Sequence, residues 1–461
     1  MTLIKSISGI RGTIGGKAGE GLSPLDVVKY TASYGRWISD KTDKKDTTII
    51  IGRDARPSGE MINRLVSATL NAMGIDVIDL GLATTPTVEI AVTEEKASGG
   101  IILTASHNPV EWNALKLLNG RGEFISAADG ADILEIAENM DYSFASYEKT
   151  GKVKQNKDYN SRHIDMIIAL PEINVEKISK REFTVVVDCV NSVGGLVLPD
   201  LLTRLGVKKV IGINTEPDGI FPHNPEPLPE NLKDLRQAVI NNKADIGFVV
   251  DPDVDRLAIV SEDGSCFNEE YTLVACADYI LSRVKGDTVS NMSSTRALRD
   301  VTEKYGFKWH ASAVGEVNVV EKMKQVDAVI GGEGNGGVIY PPLHYGRDAL
   351  AGIAIFLSLL AESGITCSEL RSTYPEYIIS KNRVELSATT DPDVIIERIY
   401  EELQKNVVSR EDGLLLEYHE GWVNIRKSNT EPILRIYSEG RTKSEADNLA
   451  ERIIKIVKRI N

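Results

Sequence analysis

Short apolar segments alternate with amphipathic segments along most of the chain. In the first third, apolar or β-branched runs predict strands, and the segments with helical spacing between them predict helices. The predicted order is helix 23–38, strand 47–51, helix 59–73, strand 75–80, helix 86–96 and strand 100–103. Ser23 followed by Pro24 is a typical helix start. Strands and helices in this alternation indicate a layered α/β domain.

The alternation restarts twice after a polar stretch, 141–160, which we interpret as a domain boundary. The second cycle is predicted as strand 183–188, helix 196–205, strand 208–213, helix 229–242 and strand 244–250. The third is predicted as strand 257–261, helix 270–284, strand 288–292, helix 295–305, helix 316–325 and strand 327–330. A different unit after Tyr374 ends with strands 421–426 and 433–437 and helix 444–460. Three similar cycles in one chain suggest a structural repeat.

The chain is therefore predicted to be an α/β protein of four domains, with three similar α/β domains and a smaller C-terminal α+β domain. A length of 461 residues agrees with three or four domains. The predicted bounds are 1–150, 151–255, 256–370 and 371–461.

Charge and cysteine content restrict the classes of partner. The formal net charge of −14 argues against binding of nucleic acid or of an anionic membrane. An anionic small substrate would require a local cationic pocket. The four cysteines are scattered and form no CxxC motif, which favours buried thiols in a reducing compartment. The first residues lack the apolar core of a signal peptide, and the apolar run 349–361 is too short to span a bilayer. We predict a cytoplasmic protein.

Segment 104–109, TASHNP, follows an apolar strand and ends in Asn-Pro, which places Ser106 in a polar loop at the strand tip. A hydroxyl in this position can react with a substrate. The alternative is a turn in which the serine and asparagine side chains bond their own backbone.

Segment 251–256, DPDVDR, also follows an apolar strand. Asp251, Asp253 and Asp255 can converge on one hard cation, and oxygen ligands alone suit Mg²⁺ rather than zinc. An EF-hand is excluded because Arg256 takes the place of the glycine that its sixth position needs. A solvated acidic turn is the other interpretation.

Segment 332–337, GEGNGG, contains the letters of a dinucleotide fingerprint, but the following VIYPP cannot begin the helix which that fingerprint requires. A loop that presents Glu333 and Asn335 to sugar hydroxyls fits better. A plain glycine turn is the alternative.

Segment 426–432, RKSNTEP, with Arg435 beyond it, joins two predicted strands. Two guanidiniums, two hydroxyls and an amide near free backbone N–H groups can hold a phosphate. A polar hairpin tip is the alternative.

Five further cations lie in glycine- or proline-containing loops, and each taken singly is more typical of a solvated charge: Arg11, Arg53, Arg56, Lys116 and Arg347.

These four loops, in this order, resemble those of the α-D-phosphohexomutase superfamily, which includes phosphoglucomutase, phosphomannomutase and phosphoglucosamine mutase. The resemblance covers essentially the whole chain, and its four motifs together are highly specific. It implies four domains in a heart shape. It also implies an isomerase that moves a phosphoryl group between O6 and O1 of a hexose through a phosphoserine and a bisphosphate intermediate.

The resemblance assigns roles residue by residue. Ser106 would be the phosphoserine, and with Asp251, Asp253 and Asp255 it would hold one Mg²⁺. The remaining catalytic residues implied are Lys116 and Arg11, which assist proton transfer or stabilise charge, together with His107. The substrate-binding residues would be Arg256, Glu333, Asn335, Arg426, Ser428, Asn429, Thr430 and Arg435, the last five at the non-reacting phosphate. A hexose bisphosphate would act as activator, and the protein would be a monomer or homodimer.

The end of the sugar loop departs from the family pattern. Many members have Ser-Gly-His where this chain has Asn335-Gly336-Gly337, so the histidine assigned to proton transfer is missing. His344 is a candidate replacement. The GEGNGG form is similar to the phosphoglucosamine mutase branch, which points to glucosamine 6-phosphate and glucosamine 1-phosphate. The alternatives are a phosphoglucomutase/phosphomannomutase, a metal-dependent sugar phosphatase and a phosphosugar-binding protein without activity.

Overall fold

The computed structural model describes residues 2–6, 9–42, 47–387, 391–428 and 433–460, which form four sheets with helices packed on them. We name four domains after these sheets, in chain order. The class is α/β, as the alternation of strands and helices predicts.

The first domain has a seven-stranded mixed sheet. Its strands are β1 (Leu3–Ser6), β2 (Gly9–Thr13), β3 (Thr48–Arg53), β4 (Asp76–Leu82), β5 (Gly99–Leu103), β6 (Trp112–Leu118) and β7 (Val153–Gln155). Its helices are α1 (Pro24–Lys41), α2 (Gly59–Ala72), α3 (Thr85–Glu94) and α4 (Ala127–Asn139). The strand order is β1-β2-β6-β5-β3-β4-β7. Ser23 and Asp26 form a capping box at the start of α1, where the sequence predicts a helix to begin. Strand β7 pairs with β4, so part of the polar stretch 141–160 extends this sheet.

The second and third domains each have a four-stranded sheet. The second contains α5 (Tyr159–Ile168), α6 (Val175–Lys180), β8 (Thr184–Asp188), α7 (Gly194–Arg204), β9 (Lys209–Ile213), α8 (Lys233–Asn242), β10 (Ile246–Val250) and β11 (Leu257–Ser261). The third contains α9 (Glu270–Leu281), β12 (Thr288–Asn291), α10 (Ala297–Lys304), β13 (Trp309–Ser312), α11 (Glu316–Val326), β14 (Ile330–Glu333), β15 (Gly337–Ile339), α12 (Ala349–Ser363) and α13 (Cys367–Ser372).

Two boundaries lie elsewhere than the sequence predicts. The predicted strand 327–330 is shifted, because Asp327 ends α11 in a left-handed conformation and the strand begins only at Ile330. Strand β11 pairs antiparallel with β10, so the predicted boundary between residues 255 and 256 falls inside a hairpin of the second sheet.

The three α/β domains share one strand pattern, in the orders β4-β3-β5-β6, β9-β8-β10-β11 and β13-β12-β14-β15. In each, a central strand has a parallel neighbour on both sides, and a fourth strand pairs antiparallel with one of them. The suspected repeat is thus a repeated topology. The segments TASHNP, DPDVDR and GEGNGG all lie where the third strand of the pattern leads to the fourth, so the fold presents three loops from equivalent positions.

The second and third domains share a continuous hydrophobic core. Helix α12 lies inside it and packs against α9, α6 and α5. Its residues 349–357 are all buried, which explains the long apolar run in the sequence. In the described part of the chain, we find no helix with the length and apolar character needed to cross a membrane.

The fourth domain is an antiparallel sheet with two helices. Its elements are β16 (Ile378–Glu385), α14 (Pro392–Leu403), β17 (Val407–Ser409), β18 (Leu414–Glu417), β19 (Gly421–Lys427), β20 (Ile433–Gly440) and α15 (Lys443–Ile460), and the strand order is β16-β20-β19-β18-β17. The amphipathic C-terminal helix packs on β16, β19 and β20 as its pattern predicts. Residue 428 ends the described part of the loop between β19 and β20.

Candidate active site

A cavity of about 390 Å³ lies where loops of all four domains meet. Its lining includes Ser106, His107, Glu316, Glu333, Asn335 and the five cationic side chains of Arg11, Lys116, Arg256, Arg347 and Arg435. The local cationic pocket that an anionic substrate would need is therefore present in a chain of net negative charge.

Ser106 lies at the end of β5 with its hydroxyl directed at the second domain. The Ser106 Oγ donates to Asp251 Oδ2 at 2.7 Å. Its φ is +49°, a left-handed conformation that non-glycine residues rarely adopt and that is common at functional sites. The backbone N–H of Ser106 donates to Thr104 Oγ1 at 2.9 Å, which fixes the turn. The serine is thus held against the predicted metal loop rather than bonded only to its own turn.

The three aspartates of segment 251–256 are fully buried, and their carboxylate oxygens lie within 4.8 Å of one another. Asp253 Oδ1 and Asp255 Oδ1 are buried without a hydrogen-bond partner among the described residues. Burial and the neighbouring Asp255 and Asp253 raise the pKa of Asp251 well above its ordinary value. Convergent, unpaired carboxylate oxygens are the donor set that Mg²⁺ prefers, so these residues fit the ion.

Lys116, on β6, reaches the same carboxylates. Its Nζ lies 2.8 Å from Asp253 Oδ2 and 3.9 Å from Asp255 Oδ2. Burial alone would lower the pKa of Lys116, but the two carboxylates outweigh it and raise that pKa. Thr85, at the start of α3, also donates to Asp253 Oδ2, at 2.6 Å. No motif in the sequence pointed to this threonine.

Arg11 shares a sheet face with Lys116. It pairs across β2 and β6 with Ala114, two residues before Lys116, and residues two apart on a strand point the same way. Its Nε is buried and has no partner among the described residues, and burial lowers its pKa. A guanidinium that lines the cavity with its Nε unbonded can donate to a bound anion.

His107 and Arg256 lie on either side of a carboxylate from a neighbouring loop. His107 Nδ1 lies 3.4 Å from Ser106 Oγ, and its Nε2 lies 3.9 Å from Glu226 Oε1. Arg256 contacts the same Glu226 oxygen at 3.4 Å. Burial, and next Arg256, lower the pKa of His107 well below its ordinary value, so its imidazole is neutral.

The GEGNGG loop is organised around the contact between Glu333 and Arg347. Glu333 Oε1 accepts from Asn291 at 2.8 Å, and its Oε2 accepts from Arg347 at 2.6 Å. Asn335 closes the turn by accepting from the Gly337 N–H at 3.2 Å. Burial would raise the pKa of Glu333, but Arg347 outweighs it and lowers that pKa, so the carboxylate is charged.

His344 does not take the place of the missing histidine. It lies behind the cavity, with its Nδ1 3.1 Å from Glu89 and its Nε2 3.2 Å from Asp348. It is absent from the cavity lining. This expectation is wrong because two buried carboxylates draw the imidazole away from the cleft.

Arg426 and Arg435 face each other across β19 and β20, and Arg435 is also in register with Arg383 on β16. Like charges directly opposite on a sheet repel each other, which favours an anion between them. Burial lowers the pKa of Arg426, whose Nε has no partner in the described ranges. Ser428 is partly buried at the end of β19. The predicted Asn429 and Thr430 lie outside the described residues.

Arg56 was expected to be a solvated charge, but it is buried and holds the serine loop. Its guanidinium donates to the backbone carbonyls of Ser106, Asn108, Pro109 and Trp112. Its Nε also donates to Asp54 Oδ2 at 2.9 Å. Its position was the only indication in the sequence: the segment DARPS directly follows β3, the strand that pairs with β5.

Comparison with known proteins agrees with this architecture. Models of phosphoglucomutase/phosphomannomutase match in order, with alpha/beta/alpha domain I at residues 3–143, domain II at 161–264, domain III at 268–377 and the C-terminal domain at 389–456. The similar solved structures include a phosphoglucomutase/phosphomannomutase family protein from Burkholderia thailandensis, with a TM-score of 0.85 and 24% identity over 99% of this chain and 98% of that one.

Curated relatives extend over the same length. A phosphoglucomutase/phosphomannomutase of Thermococcus kodakarensis is 34% identical over 452 residues, covering 97% of this chain and 98% of the relative. A phosphoglucosamine/phosphogalactosamine mutase of Sulfurisphaera tokodaii is 30% identical over 460 residues, covering 97% and 98%. Four domain matches in order and full-length relatives show that this chain belongs to the phosphoglucomutase/phosphomannomutase family of phosphohexomutases.

Proposed function

We propose that the protein interconverts glucosamine 6-phosphate and glucosamine 1-phosphate, with Ser106 carrying the phosphoryl group between turnovers. The observation that carries this proposal is the contact of Ser106 Oγ with Asp251, 2.7 Å long, at a cavity lined by five cations. A hydroxyl beside a metal-binding carboxylate set is the arrangement that phosphoryl transfer needs, since the reaction depends on positioning and charge neutralisation.

Ser106, Asp251, Asp253 and Asp255 would hold Mg²⁺, which when bound neutralises charge on the phosphoryl oxygens. In the first half-reaction the free hydroxyl of the sugar monophosphate attacks the phosphorus of phospho-Ser106, and Ser106 Oγ leaves. Lys116 Nζ lies beside two of the metal-loop carboxylates and is protonated because they raise its pKa. It donates a proton to the leaving Ser106 Oγ and then takes up the proton that the attacking hydroxyl loses. Arg11 stabilises the transferred group, and His107, Arg256, Glu333 and Asn335 contact the sugar side.

The non-reacting phosphate would bind in the fourth domain. Arg426, Ser428 and Arg435 hold it, together with Asn429 and Thr430, and charge-assisted hydrogen bonds from arginine are well suited to this. The hexose bisphosphate then turns within the cleft and presents its other phosphate to Ser106. A bound hexose bisphosphate therefore also restores an enzyme that has lost its phosphoryl group, and so acts as an activator.

The choice of amino sugar rests on the GEGNGG loop and on the names of relatives. The Sulfurisphaera relative is named for amino sugars, whereas the Thermococcus relative is named for glucose and mannose phosphates. A substrate panel decides between them. We would compare kcat/KM for the 1-phosphates of glucosamine, galactosamine, glucose and mannose, with Mg²⁺ and a trace of hexose bisphosphate, alongside Ser106→Ala.

The proposal expects preference for glucosamine 1-phosphate and loss of activity in Ser106→Ala. Comparable rates on glucose and mannose phosphates would instead identify a phosphoglucomutase/phosphomannomutase. Steady release of inorganic phosphate would identify a phosphatase. Three further points stay predictions: the protein is a monomer or homodimer, it is cytoplasmic, and its domains are bounded at residues 150, 255 and 370.

A further inference from the structure

Arg347 joins three carboxylates that come from three separate segments. Its Nη2 lies 2.6 Å from Asp255 Oδ2 in the metal loop, and its Nη1 lies 2.6 Å from Glu333 Oε2 in the sugar loop. Its Nε lies 3.1 Å from Glu316 Oε2, and its backbone N–H donates to Glu316 Oε1 at 3.0 Å, at the start of α11. One planar guanidinium therefore contacts both the DPDVDR loop and the GEGNGG loop.

The position of this side chain depends on the glycine at 337. A Cβ at that position would lie 2.3 Å from Arg347 Cδ and 2.9 Å from its Cγ. Contacts below 3.0 Å force one of the groups to move, so the stem of Arg347 occupies the volume that any side chain at 337 would need. Gly337, which departs from the family pattern, is thus the residue that leaves room for the side chain of Arg347.

We propose that Arg347 is a positioning residue that couples metal binding to sugar binding. Asp255 has one oxygen on Arg347, and its other oxygen is buried with no hydrogen-bond partner among the described residues, 3.8 Å from Arg256 Nε. The hydrogen bond from Arg347 therefore determines where this second oxygen points. Glu333 is held by the same guanidinium. A sugar that fixes the position of Glu333 therefore also fixes that of Asp255, because one rigid, permanently charged group holds both. A metal ion that binds Asp255 fixes the position of Glu333 in the same way.

The test measures this coupling without turnover. It rests on the proposed function, because Mg²⁺ and glucosamine 6-phosphate are the two ligands. With the full-length, unphosphorylated enzyme, which has no phosphoryl group to transfer, we would measure the Kd of glucosamine 6-phosphate by calorimetry with and without Mg²⁺. We expect Mg²⁺ to tighten sugar binding by about 5- to 150-fold, the usual range of coupling between two sites.

Replacing Arg347 should abolish most of this effect. In Arg347→Met the ratio of the two Kd values should fall below about 2-fold. Arg347→Lys should behave similarly, since a point charge cannot bridge three carboxylates as a guanidinium does. The matched control is Arg371→Met, which removes another largely buried arginine, one bonded to Phe267 O and Glu376 outside the cavity lining. This control should keep the coupling of the unmodified enzyme.

Gly337→Ala provides an independent variant that removes no polar group. Its Cβ must displace Arg347, so this variant should also lose the coupling. Gly130→Ala is its control, because a Cβ there meets only Ile125 Cδ1, at 3.9 Å. Thermal unfolding of each variant without ligands shows whether it is folded.

The outcomes separate two failures. If the unmodified enzyme binds both ligands but Mg²⁺ leaves the sugar Kd unchanged, or if Arg347→Met or Gly337→Ala keeps the full ratio, the role of Arg347 is wrong. If the unmodified enzyme binds neither Mg²⁺ nor the sugar phosphate, the proposed function itself fails.

Discussion

Arg56 supports the Ser106 loop with a single buried side chain. It donates to four backbone carbonyls of the loop and pairs with Asp54, which in turn accepts from Thr104 at 2.7 Å. Both members of the ion pair are fully buried. Removing one partner of such a pair leaves an uncompensated charge, which is among the most costly single changes in a protein core.

Arg56→Met should therefore impair both stability and catalysis. We expect the free energy of unfolding to fall by about 3–5 kcal/mol. We expect kcat to fall by about 100-fold, because the serine is no longer held in position. Denaturant unfolding and steady-state kinetics measure the two effects. Arg64→Met is the control: it breaks an exposed pair with Glu60 and should change stability by less than about 1 kcal/mol. Equal effects of the two substitutions would contradict the assignment.

At the scale of residues, the sequence pointed to side chains that the structure brings together at the cavity, but not to the arginines that hold their loops in place. Ser106 and the aspartate triplet follow apolar strands, so their position at strand ends could be predicted. Arg56 and Arg347 could not be distinguished from solvated arginines, because their partners are carbonyls and carboxylates that only the folded chain brings near. The role of His344 was wrong for the same reason, since Glu89 is far away in sequence.

At the scale of elements, the hairpin of β19 and β20 places two arginines against each other. Arg426 and Arg435 are cross-strand partners, and Arg383 continues the row on β16. The like charges repel each other, and a phosphate bound at the proposed site would relieve this repulsion. The sequence predicted both strands but missed β16, so Arg383 escaped notice.

Arg435→Met should separate binding from stability. We expect the KM for the sugar phosphate to rise by about 10-fold or more, as expected for loss of a charge-assisted hydrogen bond worth about 1.5–3 kcal/mol. Because the substitution removes a like charge, thermal stability should stay equal or rise. The control is Lys427→Met, since Lys427 is next to Arg426 on the opposite strand face and pairs with Asp393. An unchanged KM in Arg435→Met would contradict the phosphate site.

The repeated topology explains why the site assembles from distant segments. Each α/β domain contributes the loop from its third strand to its fourth, and these loops converge because the three sheets present equivalent edges. The alternation of strands and helices in the sequence was enough to suggest three cycles. It did not reveal β6, whose WNALKLL run mixes polar and apolar residues, or β15, which has only three residues directly after the glycine-rich loop.

At the scale of the whole molecule, a buried cluster connects the first three domains. Glu89 of α3, His163 of α5, His344 and Asp348 meet behind the cleft, and His163 Nε2 lies 2.8 Å from Asp348 Oδ2. Burial would lower the pKa of His344, but Asp348 and Glu89 outweigh it and raise the pKa to about 10. Burial raises the pKa of Glu89 to about 8.

Both shifts mean that the folded protein binds protons which the unfolded chain has released. The contribution of His344 is complete below its ordinary pKa of 6.5 and is lost as pH rises toward 10. The raised pKa of Glu89 also makes the free energy of unfolding fall as the pH rises, between pH 4.5 and about pH 8. We therefore expect the free energy of unfolding to decrease from pH 7 to pH 10, and this slope to flatten in His344→Gln. His310→Gln, at a partly exposed pair with Asp287, is the control that should keep the slope. A His344→Gln variant with the original slope would contradict this account.

The central claim is that the phosphoryl group passes through Ser106 to a sugar and not to water. The most direct measurement begins with unphosphorylated enzyme, Mg²⁺ and radiolabelled hexose bisphosphate, followed by removal of excess sugar and a chase with unlabelled glucosamine 6-phosphate. We expect label on the unmodified protein and none on Ser106→Ala, with the peptide containing Ser106 carrying it. The chase should transfer the label to glucosamine phosphates. Label that appears as inorganic phosphate, or that binds equally to Ser106→Ala, would contradict the account.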